Sequence, residues 1–212
     1  MENKKNTILL TVIAVATLLV AVVGATFAYF TATGGDAVSK QVNVITGTAA
    51  SSSFAIDGAI NIYADATNFA QGQANRTGSS NGTVSFTAPT QPEGSTLDAK
   101  DLQFCYSVSL NITSNDFEYT TEANTPELTL DVTKGGTAVI SAMDITTKTG
   151  DIQIPTAAGE TTYVHKITAT AGATITEEWK TTVTLVNLAS DQNKNTGKNL
   201  AGVLKFAKAD CA

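Results

Sequence analysis

The stretch "YSVSLNIT", Tyr106 to Thr113, puts Val108, Leu110 and Ile112 on one side of an extended chain and Ser107, Ser109 and Asn111 on the other. Side chains of a strand alternate between faces, so one face belongs to a core and the other to water, as in an antiparallel sheet. "ELTLDVT" repeats the pattern, with Leu128, Leu130 and Val132 against Thr129, Asp131 and Thr133. "WKTTVTLVNL" repeats it again, with Val183 and Leu185 opposite Thr182 and Thr184.

Working outward from these three, further strands are expected at 41–46, 54–62, 83–87, 137–140, 162–170 and 200–206. Turn signals separate them: Lys134-Gly135-Gly136, Thr149-Gly150-Asp151, Ala171-Gly172-Ala173 and Ser79-Ser80-Asn81-Gly82. The Gly/Asn/Ser stretch 71–82 reads as a loop, and 64–74 is the one short helix to be expected after residue 30. Eight or more short strands at this spacing predict an all-β fold, an antiparallel sandwich or jelly roll. Threonine and valine, both abundant, favour it because a branched Cβ suits a pleated surface. Trp179 is the single tryptophan and is expected to anchor the core.

The N-terminus has a different character. Lys4 and Lys5 precede the apolar run "TILLTVIAVATLLVAVV", Thr7 to Val23, and Gly24 and Ala25 break it. Small residues at Thr26 and Ala28 suit the two pockets of a signal peptidase, which would leave Tyr29 as the new N-terminus. The competing reading is an uncleaved anchor, since a helix over 8–30 would span roughly 34 Å, enough to cross a bilayer. Either way the bulk of the chain lies outside the cell, with the membrane a partner during export. The expected organisation is a signal peptide or anchor over 1–28, a candidate donor or first strand over 29–46, and a sandwich domain over 47–212.

Charge excludes one class of partner. The net charge is −6; the first six residues contribute +1, which leaves −7 on the remainder. With no basic run beyond Lys4-Lys5, nucleic acid is not an expected partner.

Two cysteines, Cys105 and Cys211, permit a disulfide in an exported chain. It would close a loop of about 105 residues and be worth roughly 4 to 5 kcal/mol in the chain-entropy model. The alternative is two separate thiols. "GSSNG", Gly78 to Gly82, matches the nucleophile-elbow pattern around Ser80, and the lone His165 follows it in order. No α/β pattern surrounds them, so a hairpin loop is the expected role of "GSSNG" and His165 is read as a strand side chain. "DQNKN", Asp191 to Asn195, begins like a calcium loop, but Gly197 falls one place late and Gly202 stands where a bidentate acid belongs. A turn between strands is expected there. One histidine cannot assemble a zinc protease site, so no catalytic residue, metal or cofactor is expected. No Leu-Pro-x-Thr-Gly signal is present for sortase attachment.

"GATFAYFT", with Thr26, Phe27, Ala28 and Phe30, resembles the signal-peptide junction of the TasA/camelysin family of Gram-positive biofilm-matrix and cell-surface proteins. The stretch 177–206, "EEWKTTVTLVNLASDQNKNTGKNLAGVLKF", is similar to the C-terminal part of such proteins. The resemblance implies processing by a SipW-type signal peptidase and assembly with copies of itself or a related subunit. Polymerisation would proceed by donation of an N-terminal strand. The segment 29–46 suits that role, with Val42 and Val44 facing one way and Asn43 and Ile45 the other. The expected function is therefore an exported structural subunit of a surface fibre or matrix, not an enzyme. The alternative is a membrane-anchored extracellular binding module or adhesin.

Overall fold

The structure is a computed structural model, and it describes residues 47–65, 72–91 and 96–211. The signal and donor-strand expectations, with Thr26, Ala28, Tyr29, Val42 and Val44, lie outside these residues.

Ten strands follow in order: β1 (Ser51–Ile56), β2 (Ala59–Tyr63), β3 (Arg76–Thr87), β4 (Gln103–Asn115), β5 (Leu128–Lys134), β6 (Thr137–Asp144), β7 (Gly150–Gln153), β8 (Val164–Thr168), β9 (Thr174–Leu185) and β10 (Asn199–Ala209). They form two antiparallel sheets packed face to face. One runs β1-β3-β9-β5-β6. The other runs β2-β10-β4, and the far side of β4 is shared by β7 and β8. Among the described residues there is no α-helix, only short 3₁₀ turns at Ala99–Leu102 and Asn193–Asn195.

The alternation in "YSVSLNIT" points where it should. Tyr106, Val108, Leu110 and Ile112 of β4 are buried between the sheets with Leu128, Leu130 and Val132 of β5 and Trp179, Val183 and Leu185 of β9. Val84 and Phe86 of β3, Ile60 and Ile62 of β2, and Leu200 and Leu204 of β10 complete this core. Each such large side chain contributes about 1.5–3 kcal/mol by leaving water. The Lys134-Gly135-Gly136 signal is the β5–β6 turn, and both glycines hold positive φ (54° and 81°), a conformation that side chains with a Cβ resist.

Four expectations need correction. The strand foreseen over 54–62 is two strands in different sheets, β1 and β2, with the corner at Asp57-Gly58. Asn81 stitches that corner: its carbonyl accepts from Asp57 N (2.9 Å), and its amide donates to Asp57 Oδ2 (2.9 Å). The period of two runs straight through from Phe54 to Ile62, so alternation could not register the change of sheet. The loop over 71–82, and the turn at Ser79–Gly82 within it, are also wrong from Arg76 onward. Arg76–Gly82 is the first half of β3, paired in unbroken register with β9. The helix expected over 64–74 does not form at Ala64, Asp65 or residues 72–74, and the rest lies outside the described residues. Finally, the turn expected at Thr149-Gly150-Asp151 gives way to a strand: Gly150 and Asp151 open β7, which is four residues long and mostly polar.

The composition that suggested a loop has another cause. Gly78, Ser80 and Gly82 occupy the inward phase of β3. A Cβ on Gly82 would lie 2.6 Å from the Phe206 ring, and one on Gly78 would lie 3.0–3.2 Å from Ile62, Ile60 and the Asn61 carbonyl. Small residues let β2 and β10 approach β3 closely. Ser80 is buried and donates to the Gly58 carbonyl at 2.7 Å.

Candidate functional site

The sequence-selected side chains fall into separate places. Cys105 and Cys211 are joined in a disulfide with Cα atoms 5.3 Å apart, tying the C-terminal residues to β4. Ser80 is a strand residue with a backbone partner, not the tip of a turn. His165 sits on β8 in the other sheet, and its Nε2 is 3.1 Å from the Ile154 carbonyl. The two do not bond each other, so "GSSNG" has no elbow geometry. Within "DQNKN", Asp191 accepts from Asn193 N, and Asn195 brackets Glu118 by donating to its carbonyl (2.9 Å) and accepting from its N–H (3.1 Å). Among the described residues no cluster of three His, Cys, Asp or Glu side chains could hold a metal ion.

Two polar constellations stand out, both built on carboxyl groups at inward positions. The first crosses between the sheets. Trp179, 1% exposed, donates from Nε1 to the Tyr106 hydroxyl at 3.1 Å, and that hydroxyl donates to Glu177. Glu177 is also paired with Lys134 at 2.8 Å, and the Lys134 ammonium lies 5.6 Å from the centroid of the Trp179 ring. His165 stacks on Tyr106 (5.2 Å) and meets Trp179 edge-on (4.8 Å). Burial and the Glu177 acceptor raise the Tyr106 pKa above its ordinary value. Burial holds the His165 pKa below its ordinary value, and its Nδ1 has no hydrogen-bond partner among the described residues. A cleft of about 520 Å³, lined by Lys134, Thr137, Val139, Thr156 and Glu177, opens beside this ion pair.

The second constellation ties loops together at one end of the sandwich. Glu127 is fully buried; one oxygen accepts from Thr120 N (2.9 Å) and from the Thr120 hydroxyl, the other from the Gln192 amide. Gln192 also donates to the Val186 carbonyl (3.0 Å) and accepts from Leu188 N (2.8 Å). Nearby, the Asn115 amide donates to the carbonyls of Ile145, Thr146 and Lys148, each at 3.0 Å. These groups hold the β4–β5, β6–β7 and β9–β10 connections in one arrangement. Sequence reasoning missed both constellations. The available signal was a carboxyl in the inward phase of a strand: Glu177 shares its phase with Ile175 and Trp179.

The outer strands form the remaining candidate. Among the described residues both sheets are open, and their edges differ. β6 is bulged against β5, with register shifts around Val132 and with Ala142 at φ 46°, its N–H held by Asp131 at 3.0 Å. β7 and β8 are four and five residues long and carry Asp151, His165 and Lys166. β2 is five residues long, and its inward Ile60 and Ile62 are covered. Among the described outer strands β1 alone combines an unbroken register and freedom from charge and proline with an uncovered inner face: inward-facing Phe54 and Ile56 remain 38% and 39% exposed. Bulges, charges and short length are the usual protections of a sheet edge, and β1 lacks the first two.

No helix among the described residues is long and apolar enough to cross a membrane. Comparison with protein-family models, with curated proteins and with solved structures finds no match to this chain.

Proposed function

We propose that the protein is an exported structural subunit of a surface fibre or biofilm matrix that assembles by strand addition. The observation that carries this reading is the pair of open sheets, whose outer strands keep backbone donors and acceptors unpaired among the described residues. A strand supplied by a neighbour would satisfy them, and main-chain hydrogen bonds would give affinity without any dedicated pocket. The junction at Thr26–Phe30, with its likeness to TasA/camelysin proteins, adds support. It implies a signal helix that is removed outside the membrane, leaving the subunit extracellular or on the cell surface with the segment 29–46 free to be donated.

The strand connectivity favours the jelly-roll form of the sandwich. β2 pairs with β10, β3 with β9, β4 with β8 and β5 with β6, a nested ribbon whose successive pairs alternate between sheets. β1 and β7 are additions at its margins.

The test is electron microscopy of the processed protein beside a variant lacking residues 29–45. The processed protein is expected to form filaments, and the variant to remain a folded monomer with an unchanged circular-dichroism spectrum. Filaments from the truncated variant would rule out strand donation by this segment. Mass spectrometry of the extracellular material is expected to find Tyr29 at its N-terminus; an intact residue 1 in the membrane fraction would favour an anchored binding module.

A further inference from the structure

We infer that the unprotected edge of β1 is the acceptor, and that its occupant is the segment 41–45 of a second copy of this chain. The inference rests on assembly by strand addition and adds which edge receives the strand. Three observations converge on it.

The first is the contrast with the bulged β6 and the short, charged β7 and β8; β2 is likewise free of bulge, charge and proline, but it is one residue shorter and its inward Ile60 and Ile62 are covered. β1 (Ser51–Ile56) has an unbroken register against β3, from Ser51↔Thr87 to Ile56↔Gly82, with no charge, proline or bulge. Its outer edge is a straight template for another strand.

The second is uncovered apolar surface behind that edge. Phe54 stacks on Phe206 (5.7 Å) and touches the Phe104 and Tyr106 rings (6.0 and 6.5 Å), yet it and Ile56 stay more than a third exposed. They stand two residues apart on the inner face of the sheet. Val42 and Val44 have the same spacing on one face of an extended segment. Placed beside β1, they would extend the core over Phe54 and Ile56 while Asn43 faced solvent.

The third is register, and it argues for a second copy over self-coverage. The alignment of β1 with β3 continues N-terminally to Thr48, whose carbonyl accepts from Thr90 N (3.2 Å) and whose hydroxyl meets that of Thr90 (2.9 Å). A fold-back hairpin must therefore turn before Thr48. With loops of about two to five residues, it would set residues 34–39, "GGDAVS", opposite Phe54 and Ile56. That stretch contains Gly34, Gly35 and Asp36, which cover poorly. Val42 and Val44 would sit no further along than Ser51. A strand from another molecule has no such restriction.

The experiment places a photo-reactive phenylalanine analogue at Ser53 in the processed full chain, with control probes at Asn61 of β2 and Ser141 of β6. Equal amounts of ¹⁴N- and ¹⁵N-labelled protein are co-assembled, irradiated and digested. The expected result is cross-links from position 53 to residues 41–45, with mixed-isotope pairs as abundant as unmixed ones. A Val42→Asp/Val44→Asp variant is expected to lose those cross-links and the filaments while keeping its melting temperature. Links from Asn61 or Ser141 instead would overturn β1 as the acceptor and leave strand addition standing. Unmixed pairs alone would show self-coverage and overturn the second-copy occupant. Absence of filaments from the unsubstituted protein would remove assembly itself, and this inference with it.

Discussion

Glu127 and Glu177 carry the same carboxyl group into the sandwich, and the protein accommodates them by different means. Glu127 is fully enclosed and, among the described residues, meets neutral donors from Thr120 and Gln192 on two separate connections. Glu177 lies near the open side, with a side chain 18% exposed, and meets the Lys134 ammonium and the Tyr106 hydroxyl. Burying a polar group is costly unless its hydrogen bonds are replaced. At Glu127 the replacement is geometric and fixes loops. At Glu177 it is partly electrostatic, and it couples the two sheets through Tyr106 and Trp179.

Removing each group should expose that difference. The largest effect is expected from Glu127→Ala, which takes the acceptor from both Thr120 donors and from one N–H of the Gln192 amide, the latter at a buried position. With about 1–3 kcal/mol for each donor left unsatisfied, a loss of about 3–5 kcal/mol in chemical denaturation is expected. A loss below about 1 kcal/mol would show that water replaces the carboxyl freely.

Next comes Tyr106→Phe. It removes the acceptor for the buried Trp179 N–H and one donor to Glu177, for an expected loss of about 1.5–3 kcal/mol. A variant as stable as the parent would mean that the cross-sheet chain does not stabilise the fold.

A double-mutant cycle on Lys134 and Glu177 should return a smaller coupling, about 1 kcal/mol, because both side chains keep some contact with solvent. That coupling should shrink in molar salt, whereas the cost of Glu127→Ala should not. Equal salt sensitivity at both sites would erase the distinction between them.

The smallest effect belongs to His165, in the Glu177 network. Its pKa in the folded protein lies below the ordinary 6.5 because burial disfavours the imidazolium. The unfolded chain therefore takes up the proton first, so stability is full above about pH 6.5 and declines as the pH falls through that value. His165→Gln should flatten the stability profile between about pH 7 and about pH 5.5. A slope that persists in the variant would assign it to another group.

The legibility of the fold followed the origin of each pattern. β4, β5 and β9 could be read because each has one wet face and one dry face, and alternation reports that difference directly. The corner at Asp57-Gly58 left no trace, since Phe54, Ile56, Ile60 and Ile62 keep one phase while changing sheets. "GSSNG" was misread because glycine and serine serve turns and close sheet contacts equally well. Only the presence of Phe206 above Gly82, and of Ile60 and Ile62 above Gly78, distinguishes the two. The differing edges were equally hidden. Nothing in "SSSFAI" announces an outer strand, and the bulge that blunts β6 arises from its register against β5.

The amino-acid order by itself determined the strand-rich character of the described residues and the faces of the long strands, because these depend on neighbours one or two residues away. Tertiary structure decided which strands share a sheet, which glycines are contacts and which carboxyl groups are enclosed. It also decided that β1, with Phe54 and Ile56 partly exposed, is an outer strand among the described residues. Each of those depends on chain segments distant in sequence arriving at the same place, and local periodicity carries no record of that meeting.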